Sequence, residues 1–305
     1  MYAVLLALLA LLLAGVAPRV MARLGSFRRA PRAALVAWQA VSLAAVLSAL
    51  FAGPAAVASI SDGTHGWFAC TGEDGCAATI WWLENRRWVV LLIAGSVTLF
   101  VLGRLLLSGH RIGTRLRSAR ARHRELLDVL TAPEHAGRAD GIRVLDHSTP
   151  TAYCLPGRRS RVVLTEGALA ALPQAELDAV LAHERAHLRG RHDLLLEYFT
   201  VLHHSVPEPV RSPAALREVR LLVEALADRA AVRASGPVTT ARALLTLAQG
   251  QAPEASLGAA GDGTTAVRMR LLAAEPMPSI VTLGMYLYAG AVLALPLALL
   301  WLAWR

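Results

Sequence analysis

Residues 183–187 read His-Glu-Arg-Ala-His. On a helix, two histidines four residues apart share a face, so both imidazoles can reach one zinc ion, and the glutamate beside them can take a proton from an attacking water. His183 and His187 are therefore candidate ligands and Glu184 the candidate general base. The helix predicted to carry them, Gln174 to Arg189, follows Leu172-Pro173 and is apolar on one side through Leu177, Val180, Leu181 and Leu188. That pattern predicts a buried face. A catalytic zinc takes a third protein ligand and keeps one position open, and two acids compete for the place. Glu224 sits in LLVEALADRAAV with Asp228 one helical turn on, among Leu221, Leu222, Val223 and Ala225. A carboxylate pair in such surroundings is costly unless a cation compensates it, which makes Glu224 a ligand and Asp228 the group that orients a ligand histidine. The other acid is Asp193, reached if HERAHLRGRHD is read as HExxHxxGxxD and Gly190 turns the chain back to the metal. These geometries exclude one another in any one structure. His192 is poorly placed on a continuing helix and is expected at the surface. Cys154 is expected to be a buried thiol.

The elements that must position these residues form a mostly helical α+β arrangement. Ile142–Asp146 and Arg161–Thr165 read as short strands joined by the turn-rich TAYCLPGRR. Helices are predicted from Arg111 to Leu130, from Pro213 to about Ala234 and from Thr239 to Gln249, and Gly250–Gly263 reads as a loop. Residues 108–278 are long enough to close a core of their own.

The rest of the chain is a different material. Hydrophobic residues make up 55% and charged residues 17%, against about 25% charged in an ordinary soluble domain. Disorder and a wholly soluble protein are both excluded. Four stretches, about 2–17, 33–60, 88–107 and 279–305, approach the roughly 20 apolar residues a membrane helix requires. The second is expected to kink or shorten at Gly53-Pro54. The first has no basic residue ahead of its apolar run, unlike a cleaved leader. Arg19, Arg23, Arg28, Arg29 and Arg32 fill the link after helix one, and Arg104, Arg111, Arg115, Arg117, Arg120, Arg122 and Arg124 follow helix three. The positive-inside rule puts both in the cytosol. The loop at 61–87, with Asp62, Glu73, Asp74 and Glu84, then faces outside, as do both termini, and the domain at 108–278 is cytosolic. Cys70 and Cys76 in that external loop can form a disulfide. The net charge of +9 is thus a topology signal that also suits anionic lipid headgroups, and no direct nucleic-acid partner is expected. Every basic residue is Arg, among abundant Ala and Leu, the signature of a GC-rich bacterial genome.

In order, TAYCLPGRRSRVVLTEGALAAL, AVLAHERAHLRGRHDLL and EALADRAAV resemble the integral-membrane gluzincins. The chain is most similar to the BlaR/MecR-type membrane metallopeptidases, and more distantly to the HtpX-type and CAAX-prenyl-type proteases. The resemblance covers about Thr151 to Val232 and the layout of three helices, domain, one helix. It implies one zinc ion on His183, His187 and Glu224, Glu184 as base, support from Asp228, and a protein substrate such as a cytosolic BlaI/MecI-like repressor. RMRLL at Arg268–Leu272 is similar to an Arg-containing helix late in such domains. Two departures stand out. Arg185 takes a place that is often apolar, and Arg305 follows helix four where BlaR/MecR proteins carry a penicillin-binding sensor domain, so β-lactam sensing by acylation is not expected. Two other roles remain open: HtpX-like quality control of membrane proteins, and a non-catalytic receptor with a structural zinc site. His203, His204, Tyr198 and Arg268 are candidate oxyanion stabilisers, and Arg161–Thr165 is a candidate edge strand for an extended substrate.

Overall fold

The computed structural model describes residues 1–61, 75–130, 141–157, 160–209, 211–250, 261–275 and 277–305. Among the described residues, four helical stretches are long and apolar enough to cross a membrane: Tyr2–Arg23, Pro31–Ala58, Trp88–Leu127 and Ser279–Ala303. The first consists of α1 (Tyr2–Leu11), a π-helical stretch (Leu12–Val16) and α2 (Ala17–Arg23). Pro18 has no N–H for the helical ladder, and a π-bulge absorbs that defect. Arg19 Nη1 caps the carbonyl of Gly15 at 2.8 Å.

Helix α3 (Pro31–Ser61) runs on through Pro54, so Gly53-Pro54 does not shorten it. Glycine is needed there for another reason. A Cβ on Gly53 would lie 2.3 Å from Thr98 Oγ1 and 3.0 Å from the Ala94 carbonyl of α4, so the two helices meet at this point through the missing side chain. Helix α4 (Gly75–Leu130) has 56 residues. It merges the predicted third membrane helix with the predicted basic helix and includes residues 75–87 of the predicted external loop. At 1.5 Å per residue it is about 84 Å long, far more than a bilayer core of about 30 Å. The predicted Cys70–Cys76 bridge falls outside the residues whose side chains are described. Helix α11 (Ser279–Ala303) closes the bundle against α3.

Between α4 and α11 lies a three-stranded sheet of β1 (Ile142–Leu145), β2 (Ala152–Leu155) and β3 (Arg161–Thr165). Its order is β1-β3-β2, with β1 parallel and β2 antiparallel to β3. Two expectations are corrected. The supposed turn TAYCLPGRR contains a strand, because Ala-Tyr-Cys-Leu extends beside β3 before Pro156-Gly157 reverses the chain. β3 is central, so the edges are β1 and β2, and β2 is the one that packs against α6. Thr165 ties this corner together. Its Oγ1 donates to the Thr149 carbonyl at 2.8 Å and accepts from Thr151 N at 2.9 Å and from Ala168 N, which caps α5 (Glu166–Ala171).

The remaining helices are α6 (Gln174–Arg189), α7 (His192–Ser205), α8 (Ala214–Ser235), α9 (Pro237–Gly250) and α10 (Gly261–Ala273). Sequence periodicity had left α7 and α10 unassigned, and residues 251–260 of the predicted loop lie outside the described ones. A small core of Val162, Leu164, Leu172, Val180 and Ala243 joins the sheet to α6 and α9. The main core instead crosses between the two parts of the chain. Trp38 and Val41 of α3 pack with Phe199 of α7, Leu222 and Val223 of α8 and Met285 of α11.

Candidate active site

Helices α6 and α8 cross face to face, and their facing residues form a cluster. His183 Nε2 lies 3.1 Å from His187 Nε2. Glu224 spans the pair, with Oε2 3.5 Å from His183 Nε2 and Oε1 3.6 Å from His187 Nε2. Among the described residues, these three are the group of His, Cys, Asp and Glu whose donor atoms lie within 4.8 Å of one another. Donors at about 2.0–2.2 Å from a tetrahedral zinc stand about 3.4 Å apart. The observed spacings bracket that value, so the donor set fits one ion.

A second layer holds the cluster. His183 Nδ1 is 3.0 Å from Asp228 Oδ1, but the approach is too oblique for an aligned hydrogen bond. Asp228 is 2% exposed, and its charge is met by Arg268 of α10 through a bidentate fork, Nε to Oδ2 at 2.8 Å and Nη2 to Oδ1 at 2.6 Å. The third nitrogen, Nη1, lies 3.3 Å from Glu224 Oε2. Burial lowers the pKa of His183, but the contacts to Asp228 and Glu224 outweigh it and carry the group to about 9. A metal must therefore displace a proton from this ring. Burial first, with His183, His192 and Arg268 acting in the same direction against the pull of Glu224, lowers the pKa of His187 to about 4, and burial lowers that of His192.

Glu184 lines the same cavity as His183 and Glu224, on the side of β2. Burial raises its pKa, and the charge of His183 only partly offsets this, which moves a carboxylate toward the range of a neutral-pH proton shuttle. Cys154 of β2 lies beside it, close enough for the two groups to influence one another. Burial first, then the Glu184 charge, pushes the thiol up to about 12, so it stays protonated. A cavity of about 210 Å³ opens here, lined by Glu184, Arg268, Ala152, Ala179, Val180 and Leu247 among others.

Other candidates lie elsewhere. Asp193 pairs with Arg120 of α4 at 3.4 Å. Tyr198 is hydrogen-bonded to Ser42 of α3 at 3.0 Å, while His203 and His204 pack against one another beside Arg104. Of the four proposed oxyanion stabilisers, Arg268 lines the cavity. Arg185 is exposed, on the side of α6 away from the cluster. The expectation for His192 is corrected: it is 4% exposed, and its Nδ1 is 3.0 Å from His187 Nδ1. A two-residue helix reversal placed it there, and helical periodicity cannot see such a reversal.

Residues 118–278, slightly more than half of the chain, match peptidase family M48. The chain belongs to peptidase family M48. It is accordingly a metallopeptidase that hydrolyses peptide bonds, of a family dependent on zinc. The matched segment holds the whole cluster, from the last turns of α4 to the end of α10. No curated protein and no solved structure matches the chain.

Proposed function

We propose that this M48 peptidase is a membrane-held zinc endopeptidase that cuts extended protein segments close to the cytoplasmic face of the bilayer. The observation that carries the reading is the His183–His187–Glu224 triad beside Glu184, in a cleft whose helices share a core with the membrane bundle. A zinc ion held by the triad supplies Lewis acidity and lowers the pKa of a water. Glu184 takes the proton from the attacking water and returns it to the leaving amine. Cys154, kept as a thiol, donates to the Glu184 carboxylate and orients it. Asp228 holds His183, Arg268 holds Asp228, and Arg268, whose Nη1 also meets Glu224, lines the cavity where an oxyanion would form.

The cytosolic placement rests on contacts between the domain and the basic segments. Arg28 forks onto Glu218 of α8, and Arg229 donates to the Arg29 carbonyl. At the other segment, Arg104 donates to the Ser205 carbonyl at 2.8 Å. Both Arg-rich stretches thus lie on the side of the domain, the side that the positive-inside rule assigns to the cytosol.

The shared core and the family favour a substrate that is itself in or at the membrane, as in quality control. The layout of helices around the domain favours the second reading, a cytosolic BlaI/MecI-like repressor. Exchange of Glu224 tests the site. Glu224→Ala in the full-length protein should abolish stoichiometric zinc and peptidase activity, whereas Asp193→Ala should retain both, as measured by metal analysis of purified protein. Zinc retained in Glu224→Ala and lost in Asp193→Ala would reverse the assignment. Incubating the active protein in liposomes with an embedded unfolded membrane protein, or with a soluble winged-helix repressor, separates the two substrate classes.

A further inference from the structure

A histidine that offers Nε2 to a metal carries its proton on Nδ1, and that N–H requires an acceptor. For His183 the nearby group is the Asp228 carboxylate, 3.0 Å from Nδ1. For His187 the nearby group is a third imidazole: His192 Nδ1 lies 3.0 Å away, the ring centroids are 4.8 Å apart, and the planes meet at 87°. We propose that His192 is a positioning residue for the zinc site. In its Nε2–H tautomer it accepts the Nδ1 proton of His187 and so fixes the tautomer and rotation of that ligand. The inference rests on the reading of His183, His187 and Glu224 as zinc ligands.

The backbone around His192 is built for this contact. Helix α6 ends at Arg189, Gly190 remains in the ordinary helical region (φ −78°), and Arg191 takes the left-handed conformation (φ 47°) before α7 begins at His192. The reversal therefore takes two residues, and it swings the His192 ring back across the end of α6. A Cβ on Gly190 would lie 2.4 Å from His192 Nε2 and 2.7 Å from its Cδ2. The φ of Gly190 is open to any residue, so what glycine contributes is space for the ring. The ring adds no charge. Asp228 is already neutralised by Arg268 and Glu224 brings one negative charge, so a neutral acceptor behind His187 supports the second ligand without a further buried carboxylate.

The test measures zinc affinity of the full-length protein in detergent, by competition with a fluorescent chelator at fixed pH. His192→Leu keeps bulk and removes the acceptor. His192→Asn places an amide oxygen where Nδ1 was. Gly190→Ala leaves every imidazole in place but crowds the His192 ring. Loss of such a partner typically weakens a metal site 10–100-fold. That loss is expected for His192→Leu and for Gly190→Ala, with most of the affinity recovered in His192→Asn and with thermal unfolding of the zinc-free forms little changed. Wild-type affinity in a folded His192→Leu, or equal loss in the Leu and Asn variants, overturns the proposal. If His192→Leu does not fold, the comparison of Asn with Gly190→Ala decides, and an Asn variant that binds no better than Gly190→Ala overturns it. His183→Ala separates the two levels. If it also binds zinc normally the ligand assignment fails, whereas its loss of zinc beside a normal His192→Leu removes only the role of His192.

Discussion

Glu184 and Glu224 are both glutamates in one buried cleft, and their surroundings give them different work. Glu224 faces two imidazoles and Arg268, and although burial pushes its pKa up, these contacts hold it below the ordinary value. It stays a carboxylate, as a ligand must. Glu184 has a thiol and apolar walls, and burial raises its pKa, as a group that alternately takes and gives a proton requires. Glu184→Gln should therefore keep wild-type zinc content while turnover falls by about 10²–10⁴-fold. Metal analysis and peptidase assay on the same preparation check this, and comparable turnover in the two proteins would refute the proton-transfer role. At this scale much was legible in the sequence. The i, i+4 spacing of His183 and His187, and the costly Glu224–Asp228 pair in an apolar helix, pointed to the residues that the fold brings together. The contributions of Arg268 and His192 were not assignable, because they depend on where α10 crosses α8 and on a chain reversal that no periodicity encodes.

The edge strand shows how an element can be recognised in kind yet misplaced. β3 is the most β-prone run of the domain, Arg-Val-Val-Leu-Thr, and that same apolar character seats it in the middle of the sheet, buried from Val162 to Thr165. Ala152–Leu155, shorter and without β-branched residues, lies at the edge beside α6. Thr165 N donates to the Thr151 carbonyl at 3.1 Å, so residues 151, 153 and 155 turn their backbone groups toward β3, and the alternation of an antiparallel ladder turns those of Ala152 and Cys154 away from it. Ala152 also lines the cavity. A substrate strand can add there, one main-chain hydrogen bond at a time. Ala152→Pro removes an outward N–H at a position where an edge strand tolerates proline. One hydrogen bond contributes about 1 kcal/mol, so kcat/KM should fall roughly fivefold through KM, with zinc content and thermal stability nearly unchanged and Ala152→Ser behaving as wild type. An unchanged KM would place the substrate elsewhere.

At the scale of the whole molecule, residues 108–278 looked from sequence like a domain long enough to fold alone, yet the packing divides the chain differently. The cores confined to this segment are small, one between sheet, α6 and α9 and one where Leu127 of α4 packs on Leu155 and Val163. The faces of α7 and α8 opposite the site are completed by α3 and α11: Phe199, Val219, Leu222 and Val223 are all at or below 3% exposed because Trp38, Val41 and Met285 cover them. Uncovering four such side chains at about 1.5–3 kcal/mol each would cost of the order of the whole stability of a domain, about 5–15 kcal/mol. Glu218 would also lose its ion pair with Arg28. Val219, Leu222 and Val223, like Glu218, lie on α8, the helix that carries Glu224 and Asp228, so losing the bundle should loosen the proposed third ligand before it touches the HExxH helix. Expressed alone, residues 108–278 should aggregate or bind zinc far more weakly than the full chain in detergent, and adding Phe199→Ser, Leu222→Gln and Val223→Thr for solubility should not restore zinc affinity. Size-exclusion chromatography with metal analysis reads both outcomes. A monomeric fragment that binds zinc as tightly as the full-length protein would show that the membrane bundle only tethers the peptidase, and that α8 holds its position by contacts with α6 alone.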